Sequence, residues 1–231
     1  MMKRLRITFT KDEEIKYISH LDLIRAWERL LRRAGVPLAY SKGFNPHPKI
    51  SVAAPLAVGI TGDAELMDVT VEGDLTPEQF RKMIEPQMPA GLRIVEVVEA
   101  PLDAPTLQSR LSFAEYSIEL HAPLSKDEIE RRISAFMAAE RIERQRRRPA
   151  NKQQRGETRC YDLRSLVDGI WIENSESPTE MHLHLRLRVG PGGSADGSPG
   201  VGRPDEVMDA LGLAEYAKSI RRTKLVVDSL P

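Results

Sequence analysis

The 231-residue chain has one cysteine, Cys160. A single thiol forms no internal disulfide and cannot supply a multi-cysteine zinc or iron–sulfur site, so Cys160 reads as a small core residue. No apolar run approaches the roughly 18–20 residues of a membrane span. The start, Met1-Met2-Lys3-Arg4-Leu5-Arg6, runs into a polar strand without a signal-peptide core. A cytoplasmic address with no membrane partner is therefore expected. Excess charge of either sign is also missing: 34 Lys and Arg balance 34 Asp and Glu. Any nucleic-acid binding must then rest on local basic patches and not on a global field. There is no Gly-x-Ser-x-Gly turn, which excludes the nucleophile elbow of a serine hydrolase. The glycine-rich stretch Gly190–Gly202 lacks the Gly-Lys-Ser/Thr ending of a P-loop and the spacing of a dinucleotide fingerprint, and reads as a surface loop.

What is present suffices for real cores: 41% of residues are hydrophobic and 29% charged, a balance outside the range of disordered chains. The length suits two domains of about 100 residues each. Leu5, Ile7 and Phe9 alternate with Arg6, Thr8 and Thr10, the period of a half-buried strand. Ser19 and Asp22 resemble a capping box that opens a helix, closed by Gly35. Leu23, Ile24, Trp27, Leu30, Leu31 and Ala34 form its apolar side, while Arg25, Arg29 and Arg32 line the other. Val36–Tyr40 reads as a second strand, Ile50–Val58 and Glu65–Glu72 as a long hairpin turning at Thr61-Gly62-Asp63, Pro77–Ile84 as a helix capped by Thr76, and Leu92–Val98 as a further strand. That order, β-α-β-β-α-β, is the ferredoxin-like arrangement.

The two prolines of Ala100–Thr106 mark a boundary. Strand, helix, basic strand and loop, further strands, helix and a closing strand over Ile220–Val227 then repeat the plan. The expected fold is α+β, with two tandem ferredoxin-like (βαββαβ) units: residues 1–100, and residues 107–231 as a degenerate second unit with inserted strands around its basic segment.

Three basic features stand out. The first is the arginine stripe of the first helix. The second is Ser41-Lys42-Gly43-Phe44-Asn45-Pro46-His47-Pro48-Lys49, where prolines flank His47 and Gly43 permits a positive φ, so the segment is a shaped loop holding a ring, an amide, an imidazole and two ammonium groups. The third is Arg141–Arg155, with six arginines and a lysine against one glutamate. Together they point to RNA, with Arg25, Arg29, Lys42, Lys49, Arg146, Arg147 and Arg148 on phosphate, Phe44 stacking on a base, and Asn45 and His47 beside it. His20, His47 and Tyr17 are the candidates for acid–base work if the protein is instead a metal-independent ribonuclease. His182 and His184 share a strand face but have no third ligand at motif distance, so no metal site is expected.

His20-Leu21-Asp22-Leu23 with Arg25, the Ser41–Lys49 loop followed by Pro55-Leu56, and Tyr161-Asp162-Leu163-Arg164, Arg203-Pro204-Asp205-Glu206 and Arg222-Thr223 resemble the uncharacterised radical SAM-linked domain family. The resemblance covers most of the chain. It implies a radical S-adenosylmethionine enzyme as partner, in a separate chain or as a fusion. The chain has no Cys-x-x-x-Cys-x-x-Cys motif for that enzyme's cluster, so no cofactor of its own is expected. An RNA-binding accessory domain for tRNA or rRNA modification is the leading expectation. A protein-interaction module docking on the radical SAM enzyme, or a metal-independent endoribonuclease, are the alternatives.

Overall fold

The computed structural model describes residues 1–147, 158–174, 180–190 and 201–228, with Arg147 and Asn174 described by backbone alone. It contains two compact units, Met1–Leu111 with Arg221–Pro231, and Ser112–Ile220.

The first unit runs β1 (Met2–Lys11), α1 (His20–Arg33), β2 (Ile50–Val52), β3 (Thr61–Glu72), α2 (Pro77–Ile84), β4 (Leu92–Ala100) and a single turn, α3 (Leu107–Arg110). Its strands pair in the order β4-β1-β3-β2, each pair antiparallel. This is the ferredoxin-like arrangement expected from the element order. The alternation in β1 buries Leu5, Ile7 and Phe9 completely. Ser19 caps α1 by accepting the Asp22 amide, Arg32 and Arg33 sit in its last turn, and Gly35 leaves it at φ +69°, a left-handed exit that suits glycine. Leu23, Trp27, Leu30 and Leu31 recur at helical spacing and are buried. Trp27 meets Phe9 of the sheet edge-on, with centroids 5.1 Å apart. Thr76 and Gln79 close a full capping box on α2, with Pro77 in its first turn.

Two expectations change here. Val36–Tyr40 makes only isolated bridges, Leu38 to Val71 and Tyr40 to Pro48, and β2 ends at Val52. The prolines at 37, 46, 48 and 55 remove ladder donors from this stretch. The turn expected at Thr61-Gly62-Asp63 is instead the start of β3.

The second unit runs β5 (Leu111–His121), α4 (Lys126–Ala138), β6 (Glu143–Arg147), β7 (Thr158–Asp162), β8 (Val167–Asn174), β9 (Glu180–Arg188), α5 (Pro204–Ala210) and the start of β10 (Ala217–Val227). The order β10-β5-β9-β8 repeats the plan of the first unit, and β6-β7 is a separate two-stranded ribbon inserted after α4. That ribbon is the extra hairpin expected around the basic segment. On one side of the sheet Ala114, Tyr116, Ile118 and Leu120 of β5 and Leu183, Leu185 and Leu187 of β9 are buried, as are Ile129, Ile133 and Phe136 of α4, which packs on β8.

The sequence assigns β10 wholly to the second half. From Arg221 onward it belongs to the first unit, where Arg221 and Arg222 pair in parallel with Thr61 and Gly62. The physical reason is a buried ion pair: Arg222 Nε donates to Glu65 Oε1 at 2.8 Å, and its other nitrogens reach Glu65 Oε2 and the carbonyls of Ala54 and Pro55. Among the described residues, no helix is long and apolar enough to cross a membrane.

Candidate nucleic-acid interface

The Ser41–Lys49 loop has a fixed base and an open tip. Ser41 N donates to the His47 carbonyl at 2.9 Å, His47 N donates to Ser41 Oγ at 3.0 Å, and Lys49 N donates to the Ala39 carbonyl at 2.8 Å. Thr70 of β3 then donates to the Lys49 carbonyl at 3.0 Å, which ties the base to the sheet. Gly43, at φ +139°, carries the chain round the tip. Phe44 is fully exposed, and Lys42, Asn45, His47 and Lys49 are exposed around it. A ring on a pinned hairpin, bracketed by two ammonium groups, costs little entropy to present and is chemically matched to a base and its phosphates.

The arginine stripe lies on α1, just before this loop in the chain. Arg25, Arg29 and Arg32 are exposed. Arg25 contacts Asp22 at 3.2 Å, and the Asp22 carboxyl is held below its ordinary range chiefly by the Ser19 hydroxyl, then by Arg25. An exposed pair of this kind is worth under about 1 kcal/mol, so Arg25 remains free to exchange its partner for a phosphate.

The three acid–base candidates are not brought into a catalytic array. His20 begins α1 half-buried, with Nδ1 buried and without a hydrogen-bond partner. Burial pushes its pKa down, Arg222 adds to the effect, and Glu65 opposes it. Tyr17 is exposed, with the Lys16 ammonium 5.2 Å from its ring centroid. His47 sits in the loop. Among the described residues neither His20 nor His47 hydrogen-bonds a second titratable side chain, the contact that would fix an acid–base pair.

The basic segment requires a correction. Arg146 is turned into the second unit: Nε and Nη2 donate to the two Glu206 oxygens at 3.1 and 2.6 Å, the Val201 carbonyl accepts at 3.3 Å, and the guanidinium lies 4.7 Å from the Tyr161 ring centroid. The Tyr161 hydroxyl is pushed up to about 12, first by burial and then by Glu206. Arg146 therefore joins β6 to α5 and is not a free phosphate contact. Its neighbour Arg144 pairs with Asp209 of α5 at 3.1 Å. Arg147 contributes backbone to β6 opposite Thr158, while its side chain and all of Arg148 lie outside the described residues. Cys160, expected in a core, is exposed on β7, because a two-stranded ribbon has few buried positions to offer.

The family profile described as "Uncharacterized protein conserved in bacteria (DUF2344)" matches residues 4–195. The chain belongs to this family. No curated protein matches it. Among solved structures, a Cbf5-Nop10-Gar1 complex is similar at 14% identity and a TM-score of 0.48, covering 96% of this chain and 48% of that one. An archaeal box H/ACA sRNP Nop10-Cbf5 complex is similar at 13% identity and a TM-score of 0.47, covering 96% and 47%. The small subunit of acetolactate synthase from Thermotoga maritima is similar at 12% identity and a TM-score of 0.27, covering 99% and 96%. The chain spans about half the length of the first two. At these scores the likeness says nothing of what a member of the family binds.

The stretch matched to the family also takes in a feature the sequence hid. On the side of the second unit's sheet opposite its buried leucines lie Trp171, stacked on His184 at 5.4 Å, and Phe113, with the Arg186 and Arg188 guanidiniums 4.7 and 5.5 Å from its centroid. The alternation in β9 made His184, Arg186 and Arg188 legible as one face. Nothing local in sequence signals that Phe113 and Trp171 sit beside them, because strand pairing brings those together. The Nε2 of His184 faces Glu173 Oε2 at 3.4 Å. Glu119, His121 and Glu180 bring ligand atoms within 4.8 Å of one another on the same sheet, but Lys218 already donates to Glu119 Oε1 at 2.9 Å and Ser219 to Oε2 at 3.1 Å.

Proposed function

We propose that the chain is an RNA-binding accessory domain that works beside a radical SAM enzyme in tRNA or rRNA modification. The observation that carries the RNA reading is the fully exposed Phe44 at the tip of a hairpin whose base is pinned by the Ser41–His47 hydrogen bonds, with Lys42 and Lys49 on either side. Stacking of a base on Phe44 is worth roughly 1–3 kcal/mol and tolerates any base, while the lysines and the α1 arginines Arg25 and Arg29 supply phosphate contacts. The radical SAM partner is supported by the resemblance of the His20–Arg25 and Ser41–Lys49 motifs. A binding role is favoured over a ribonuclease because His47 stands alone at the loop and His20 has a buried, unpartnered nitrogen.

Fluorescence anisotropy with labelled total tRNA tests the reading. Phe44→Ala should weaken binding roughly 5- to 100-fold and leave the melting transition unchanged, since the ring touches nothing that folding buries. Chelator-resistant, His47-dependent cleavage of end-labelled RNA would overturn the binding role in favour of the ribonuclease. Retention of a radical SAM enzyme after nuclease treatment, with no affinity for purified RNA, would favour a protein-docking module.

A further inference from the structure

The side of the second unit's sheet opposite its buried leucines carries side chains that its core does not explain. Alternation along β5 and β9 sends the leucines and isoleucine to the buried side, so Phe113, His184, Arg186 and Arg188 project to the other. Trp171 of β8 stands directly opposite His184 of β9 in the register, and the two rings are 9° from parallel. Its ring extends back over Gly169, where an added Cβ would come 3.7 Å from it. The second ring is arranged differently. Phe113 of β5 stands opposite Arg188 of β9. Arg186 is partly neutralised, with Asp168 at 3.3 Å and Glu115 at 4.0 Å, but Arg188 is exposed and has no acidic partner among the described residues.

Two rings therefore flank the two arginines of β9 on three neighbouring strands, β5-β9-β8, a face that also holds Glu115, Asp168 and Glu173. The rings are separated by two strand spacings, about 10 Å, across the sheet and by four residues, about 13 Å, along β9. That distance holds two bases and not one. A sheet face with a half-exposed Trp171 and guanidiniums laid over Phe113 is a platform for unpaired bases and their phosphates, because a base stacks on an aromatic ring or on a guanidinium plane and each guanidinium offers a fork of donors. A duplex hides the faces of its bases.

We infer that this sheet face is a second RNA contact, specific for single-stranded segments, with Trp171 and Phe113 stacking bases and Arg188, aided by Arg186, holding phosphate. It rests on the RNA-binding reading above and adds to it a separate site on the other unit. The chain has two tryptophans. Trp27 is 0% exposed and Trp171 42% exposed, so RNA-induced quenching of intrinsic emission reports Trp171.

The test titrates the full chain with a single-stranded oligouridine and with a duplex RNA of equal length. The inference predicts quenching by the single strand and weaker or no quenching by the duplex. It also predicts affinity losses of roughly 5- to 100-fold for Phe113→Ala and Trp171→Ala, and a shallower salt dependence for Arg188→Gln, an exposed change that leaves the fold intact. If Phe44→Ala weakens binding but the sheet-face variants do not and emission is unchanged, the sheet face is refuted and the loop reading survives. If the sheet-face variants weaken binding and Phe44→Ala does not, the loop reading fails and the sheet face stands. Absence of binding to either RNA overturns both. Quenching by an oligoglutamate peptide, with none by RNA, would assign the face to an acidic protein partner and overturn the inference.

Discussion

Arg222 donates to both carboxylate oxygens of Glu65, and each side chain is only 2% exposed. Around them Lys11, also buried, donates from Nζ to the Lys16 carbonyl at 2.9 Å, and burial pushes its pKa down, opposed by Glu65 and reinforced by Arg222. The pair ties the last strand to β3 and to the Ala54-Pro55 carbonyls. Removing one partner strands a charge out of water. Arg222→Met or Glu65→Leu alone should cost about 3–5 kcal/mol, and the double substitution less than either. Urea unfolding followed by Trp27 emission in a Trp171→Phe background measures this; equal costs for single and double variants would contradict it.

Gly62 is held to glycine by the same pair. A Cβ there would meet Glu65 Oε1 at 2.6 Å, and Glu65 cannot swing aside without breaking its contacts with Arg222. Gly62→Ala should destabilise the first unit by about 1–3 kcal/mol, read by the same urea midpoint. In an Arg222→Met background, where Glu65 is released, the penalty should shrink.

The first unit should lose stability in mild acid through His20. Its pKa in the fold lies below the ordinary value of about 6.5, so between the two values the unfolded chain binds more protons. Stability is therefore full above about pH 6.5 and declines as pH falls toward the folded pKa. The urea midpoint should drop between pH 7.5 and 5.5, and His20→Gln should flatten that drop. An unchanged slope in the variant would show that His20 is not the group responsible.

How much of this was readable from residues depends on how local each feature is. The β1 alternation, the Ser19 cap, the Gly35 exit and the Thr76-Pro77 start of α2 are set within a turn or two of chain, and all appear where the sequence puts them. The tandem plan and the inserted ribbon also followed, since element order fixes most of a ferredoxin-like unit. The contacts of Arg146 are not legible in the sequence because its partners, Tyr161 and Glu206, lie 15 and 60 residues away, and an arginine-rich run looks the same whether its members face solvent or a glutamate. Trp171 with His184 and Phe113 with Arg188 were hidden for the same reason: their meeting depends on strand register.

Arg146 separates architecture from recognition. Its contacts to Glu206, Val201 and Tyr161 are within the second unit and mostly shielded from water. Arg146→Ala should destabilise that unit by about 1.5–3 kcal/mol while leaving RNA affinity within twofold. Thermal unfolding and anisotropy on one preparation check both halves; a large affinity loss with intact stability would return Arg146 to the RNA surface.

The central claim, that the pinned Ser41–Lys49 hairpin grips an RNA strand, is tested most directly by the salt dependence of binding. Log affinity for tRNA should fall linearly with log salt, and Lys42→Gln with Lys49→Gln should reduce the slope by about two, one for each phosphate contact removed. A slope unchanged by the double substitution, or no tRNA bound by the wild-type chain at 50 mM salt, would contradict the account.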